Sequence, residues 1–99
     1  MSQSPEVPDY LQSTYQLLKC AFPNDITEEQ YAAILHFLHP HMSFRTLATV
    51  LASVTNKTYI HILNDTMGYE GKPLVGSTIM DSVRKKLDDC GYDEWINSE

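Results

Sequence analysis

One apolar spacing occurs twice in the middle of this chain, and it restricts the fold more than any other feature. Tyr31, Ile34, Leu35 and Leu38 stand at i, i+3, i+4 and i+7, and Leu47, Val50, Leu51 and Val54 repeat the pattern. At about 100° per residue each set forms one stripe along an α-helix, whereas a strand would scatter it over both faces. The punctuation agrees. In "ITEEQY", Thr27 can cap a helix while Gln30, three residues on, returns the bond. Glu28 and Glu29 fall in the first turn, where the helix dipole favours negative charge, and Pro40 closes the segment. Ser43 is a natural N-cap for the second helix. The short link around Pro40 and His41 predicts that these two helices are neighbours.

The flanking segments read the same way. Leu11, Tyr15, Leu18 and Phe22 form a stripe, and Tyr10, Leu17 and Ala21 form a second one on the same helix. A helix apolar on two sides sits between neighbours, and Pro23 ends it. Residues 59–63 could alternate as a strand, but no second strand is present to pair with, so a short helix ending at Gly68 is expected. "YEGKPLVG" reads as a loop. Ser77 is expected to cap a last helix carrying Ile79, Met80, Val83, Leu87 and Cys90 on one arc, with Gly91 as its stop. Asp81 and Lys85 are expected to pair across one turn of its exposed side. In the closing "YDEWINSE", Trp95 is expected to fold back over a helix end. The fold class is therefore all-α, a compact bundle of five short helices. Residues 1–8, with Pro5 and Pro8, form a flexible N-terminal tail, residues 9–95 a single helical domain, and residues 96–99 a C-terminal tail.

The landmarks "YLQSTYQLLKCAFPNDIT", "YAAILHFL", "SFRTLATVLASV", "YIHILNDTMG" and "SVRKKLDDCGY", in that order, resemble the small actinobacterial proteins of the domain of unknown function 3349 family. The resemblance covers roughly residues 10 to 95. It rests on Phe22-Pro23 with Ile26 after it, Asp65, Pro73, and the Val83, Leu87 and Gly91 of the last helix. It implies a compact five-helix bundle. That family has no established activity, so the resemblance implies no catalytic residue. The chain departs from the family in its richer Asn, Lys, His and Tyr content, and "HPH" lies where the family tends to be arginine-rich.

Charge narrows the function. Thirteen acidic against seven basic residues give a net charge of −6, which repels phosphate backbones and anionic membranes. The largest basic run, Arg84 to Lys86, has Asp81, Asp88 and Asp89 around it. The helix pair at residues 27–54 invites a helix-turn-helix reading, but its second helix carries a single basic residue, Arg45, so no nucleic acid is expected. No apolar run approaches a membrane span, and "MSQSPEVPDY" lacks the marks of a signal peptide. Cys20 and Cys90 then read as free thiols in a reducing cytoplasm. Cys90 would be inert on the apolar arc, and Cys20 partly exposed beside Lys19.

"HFLHPHM" holds the main candidates for chemistry. His36, His39 and His41 could ligate a metal, yet the spacing is not the i, i+4 of a common helical pair and no Cys or carboxylate follows nearby. They read instead as solvated imidazoles at a helix end, suited to the C-terminal dipole. His61 reads as a packed or half-buried residue, with no sequence-placed partner to make it a base. In "GYEGKPLVGST" the lysine is misplaced for a phosphate loop. No catalytic residue and no cofactor are expected. The reading left is a non-enzymatic module, monomeric or weakly dimeric, of the inhibitor or immunity-protein type. It would bind a protein partner through Phe37, Tyr69 and Tyr92, with an acidic surface suited to a basic partner. A metal-binding protein or enzyme using the histidines is the alternative, and a nucleic-acid binder the second.

Overall fold

In a computed structural model that describes residues 11–97, the chain is all-α. Six helices follow one another: α1 (Gln12–Ala21), α2 (Glu28–Leu38), α3 (Phe44–Val54), α4 (Tyr59–Met67), α5 (Ser77–Asp89) and α6 (Tyr92–Asn97). His39–His41 add a turn of 3-10 helix directly after α2. Among the described residues there is no strand, and residues 59–63 lie in α4, capped by Thr58. No helix among them is long and apolar enough to cross a membrane. The expected tail at residues 1–8 lies outside the described residues.

The caps behave as their chemistry requires. Thr27 Oγ1 accepts from the Gln30 N–H at 3.1 Å while Gln30 Oε1 accepts from the Thr27 N–H at 3.0 Å, a complete capping box. Ser43 accepts from the Thr46 N–H at the start of α3. At α5 the cap is Gly76 rather than Ser77, which is already helical. Gly91 adopts φ 93° between α5 and α6, a left-handed turn that a residue with a Cβ resists.

Both repeated stripes face inward. Tyr31, Ile34, Leu35 and Leu38 are buried, as are Leu47, Val50 and Leu51, together with Leu11, Leu17, Leu18, Val83 and Leu87 from α5 and the first helical segment. The expected pairing of α2 with α3 needs correction. α3 packs most extensively on α4, and α2 on α5. The 3-10 turn carries the chain away from α2 before α3 begins, so the two helices do not form the close unit of a helix-turn-helix. On α5, Lys85 approaches Asp89 at 3.9 Å and Arg84 bonds Asp88 at 3.0 Å. Lys85 therefore pairs toward the C-terminus and not with Asp81.

Two corrections concern the end of the chain. The closing segment, expected only to bring Trp95 back over a helix end, is itself a helix, α6, which runs to Asn97, past the expected boundary at residue 95. Trp95 is 4% exposed, and its indole Nε1 donates to the buried Thr14 Oγ1 at 2.8 Å. The tail thus closes over the first turn of α1. Cys20 and Cys90 are not free thiols, because they form a disulfide across 70 positions, with Cα atoms 5.9 Å apart. It ties the end of α1 to the turn between α5 and α6.

Candidate binding groove

The three histidines do not converge. His36 Nδ1 hydrogen-bonds the Tyr69 hydroxyl, and the His39 ring meets Tyr69 edge-on at 5.0 Å. His41 lies on the other side, 5.6 Å from Trp95 and 6.4 Å from Tyr92. All three are half-buried rather than solvated. The reason is that the end of α2 (His36) and the 3-10 turn (His39 and His41) pack against aromatic rings from distant parts of the chain. Among the described residues no group of three or more His, Cys, Asp or Glu could hold a metal ion.

The three aromatic candidates also separate. Tyr92 is 4% exposed and donates its hydroxyl to the Phe37 carbonyl at 3.0 Å, so it belongs to the core and offers no docking surface. Phe37 is half-buried beside it, at 6.2 Å between ring centres, and the Arg84 guanidinium sits over both rings, 5.0 Å from Tyr92 and 6.0 Å from Phe37. Burial pushes the Tyr92 phenol up, against a smaller opposing pull from Arg84. Tyr69 alone opens onto a groove.

That groove has a volume of about 560 Å³ and lies between α2, the end of α4 and the loop that follows. Ala32, Leu35 and the Tyr31 ring contribute from α2, Asp65 and Gly68 from the end of α4, and Tyr69, Pro73 and Leu74 from the loop. Its charged groups are Glu28, Asp65, Glu70 and Lys72. A site of this size with an apolar base and a few converging polar groups has the ordinary build of a binding site. A second hollow of about 440 Å³ lies beside the disulfide, but Glu94 is its only charged group, so it offers less to recognise.

A hydrogen-bonded cluster fixes one wall. The Tyr31 hydroxyl donates to Asp65 Oδ2 at 2.8 Å, and His61 Nε2 is 3.3 Å from the same oxygen. Beside it the Lys57 ammonium lies 4.7 Å over the Tyr31 ring and 2.9 Å from Glu28 Oε2. Here two expectations fail. His61 is exposed, not packed, and it has a carboxylate partner one helical turn on. The spacing of His61 and Asp65, i and i+4, was the signal that could have revealed it. Asp65 is the groove residue that sequence reasoning missed, since its bond to Tyr31 spans 34 positions.

Burial, more than anything else, raises the Tyr31 phenol well above its usual value, with further push from the hydrogen bond and charge of Asp65 and from Glu28. Burial also raises Tyr69. A phenol held protonated by the fold contributes stability that is complete below its unfolded value near 10 and lost as pH climbs toward the folded value. Tyr31→Phe should therefore cost about 1 kcal/mol in urea unfolding at neutral pH, and the variant should lose less stability than wild type between about pH 9 and pH 11. Curves that coincide at every pH would show that the Tyr31 hydroxyl and its bond to Asp65 contribute nothing.

The chain matches no family model, no curated protein and no solved structure.

Proposed function

We propose that this protein is a non-enzymatic helical module, monomeric or weakly dimeric, that binds a protein partner in the groove between α2, α4 and the loop after α4. The observation that carries the reading is the combination in that groove of an apolar base, a Tyr69 ring pinned by His36, and Leu74, which is 62% exposed. Leu74 matters because it continues the apolar base of Leu35, Ala32 and Pro73 out to the rim of the groove, and contiguous apolar surface, not a lone exposed side chain, marks a docking surface. The Tyr31, Asp65 and His61 cluster supports a structural role over a catalytic one, because the hydroxyl and the imidazole meet one carboxylate oxygen instead of each other. Membership of the domain of unknown function 3349 family remains part of this proposal, supported by the order of helices and the Phe22-Pro23 break. Free thiols argued for the cytoplasm. The Cys20–Cys90 bridge favours an oxidising compartment instead.

The test uses the whole, oxidised protein immobilised and exposed to an extract of its native host. Wild type retains a stoichiometric partner, and Leu74→Asp, which changes an exposed side chain and leaves the melting curve unchanged, loses it by at least about tenfold. Equal retention by Leu74→Asp, or no stoichiometric partner on wild type, overturns the proposal.

A further inference from the structure

We infer that the Cys20–Cys90 bridge is a redox switch, opened in the folded chain by attack of a thiolate on the Cys20 sulfur and guarded by Glu94 against anionic thiols. The inference is independent of the docking role proposed above. Two contacts set α6 back along α1: the bridge joins Cys90 to Cys20, and the Trp95 indole reaches Thr14 nearer the start of α1. Between these two pins the helices do not close. A hollow of about 440 Å³ remains between Gln16 and Leu17 on one side and Glu94 and Trp95 on the other, with both cysteines in its lining. A bridge sealed in a core is beyond the reach of thiols, whereas this one faces an open hollow, and access is one of the quantities that set the rate of exchange.

Cys20 is exposed and Cys90 half-buried, so the incoming thiolate takes the Cys20 sulfur. A bond forms between those two sulfurs and the Cys20–Cys90 bond breaks. Its electron pair leaves on Cys90 Sγ, which takes a proton from water. The second thiolate of a dithiol then attacks the reductant's sulfur in the mixed disulfide and releases Cys20. The dithiol ends as a disulfide, and the protein has gained its two electrons. The nucleophile is an anion, and the hollow has one charge to meet it. Glu94 is the only charged residue in the lining. Its carboxylate lies back toward the bridge, with Oε1 3.3 Å from where a Cβ on Gly91, the neighbour of Cys90, would stand. Lys19 and Asp89, which precede the two cysteines, are not in the lining, and Asp89 pairs with Lys85. A like charge at this range slows a thiolate, and slows one that carries a further negative charge more. The reductant that fits is a dithiol with neutral or basic surroundings, not an acidic monothiol.

Reduction of the oxidised full chain in native buffer tests this with dithiothreitol and with three monothiols: cationic cysteamine, neutral mercaptoethanol and anionic mercaptoacetate. Rates are compared per thiolate. Dithiothreitol opens the bridge to completion without denaturant, and the mixed disulfide trapped with each monothiol maps to Cys20. Cysteamine reacts at least about tenfold faster than mercaptoacetate at roughly 0.02 M salt, and about 0.5 M salt removes most of the difference. Glu94→Gln narrows that gap to about threefold. Glu70→Gln, the same change of charge at the other groove, leaves the gap as it is in wild type. A bridge that opens only in denaturant, a mixed disulfide on Cys90, or a gap in Glu94→Gln no narrower than in Glu70→Gln overturns the inference.

Discussion

Removing the Cys20–Cys90 bridge by alanine substitution at both positions lowers the unfolding free energy by about 4 kcal/mol. The size follows from the separation of 70 residues between the cysteines. The cross-link deletes from the unfolded ensemble the entropy of closing a loop that long, and each further doubling of loop length would add only about 0.6 kcal/mol. For a chain near a hundred residues the loss corresponds to a fall in melting temperature on the order of 20 °C. Cys20 is exposed and Cys90 half-buried, so a reductant reaches the bond without unfolding the chain. The wild-type melt in reductant should therefore superimpose on the melt of the double variant, and the double variant should not respond to reductant at all. A wild-type curve indifferent to reductant, or two titratable thiols in the unreduced chain, would remove the bridge and with it the argument for an oxidising compartment.

What local sequence could reveal in this protein divides by distance along the chain. The stripes at Tyr31–Leu38 and Leu47–Val54, the Thr27–Gln30 box and the Ser43 cap each lie within one or two turns, and each stands in the structure where the spacing put it. The errors arise where partners are far apart. Cys20 meets Cys90, Tyr31 meets Asp65, and His36 meets Tyr69 only because packed helices deliver them to one another. No period encodes such meetings, so the histidines read as solvent-side and the thiols as free. The pairing of α2 with α3 failed for a related reason, since a short link limits distance but leaves direction to the turn it makes. Tyr92 is a different case. Tyr92, Trp95 and Ile96 stand at i, i+3 and i+4, the opening of the same stripe found in α2, yet a helix of six residues gives too few positions for the pattern to declare itself. Of the candidate site, Tyr69 was recognisable as an aromatic in a long loop. Asp65 appeared only as a landmark of the family resemblance, because its place in the groove depends on Tyr31, 34 positions away.

The second large effect follows from that short helix. Trp95→Ala should destabilise the protein by about 3–5 kcal/mol, although the residue lies near the end of the described chain. An indole with 4% exposure leaves a cavity when truncated, and the Thr14 hydroxyl, 2% exposed, loses its donor. Stranding that buried group adds to the cavity cost. Trp95→Phe, which keeps a ring but no N–H, separates the two contributions and should cost less than the alanine variant while still leaving Thr14 unmatched. Because Trp95 is the only tryptophan, far-UV circular dichroism must follow unfolding in both variants, and wild-type emission should shift to longer wavelength on denaturation. The disulfide sits two residues before α6 and holds Cys90 against α1 in either variant, so the chain remains folded enough to measure. A cost below about 1 kcal/mol for Trp95→Ala would mean that α6 is a loose flap and not part of the core, and that the bridge alone fixes this end of the bundle.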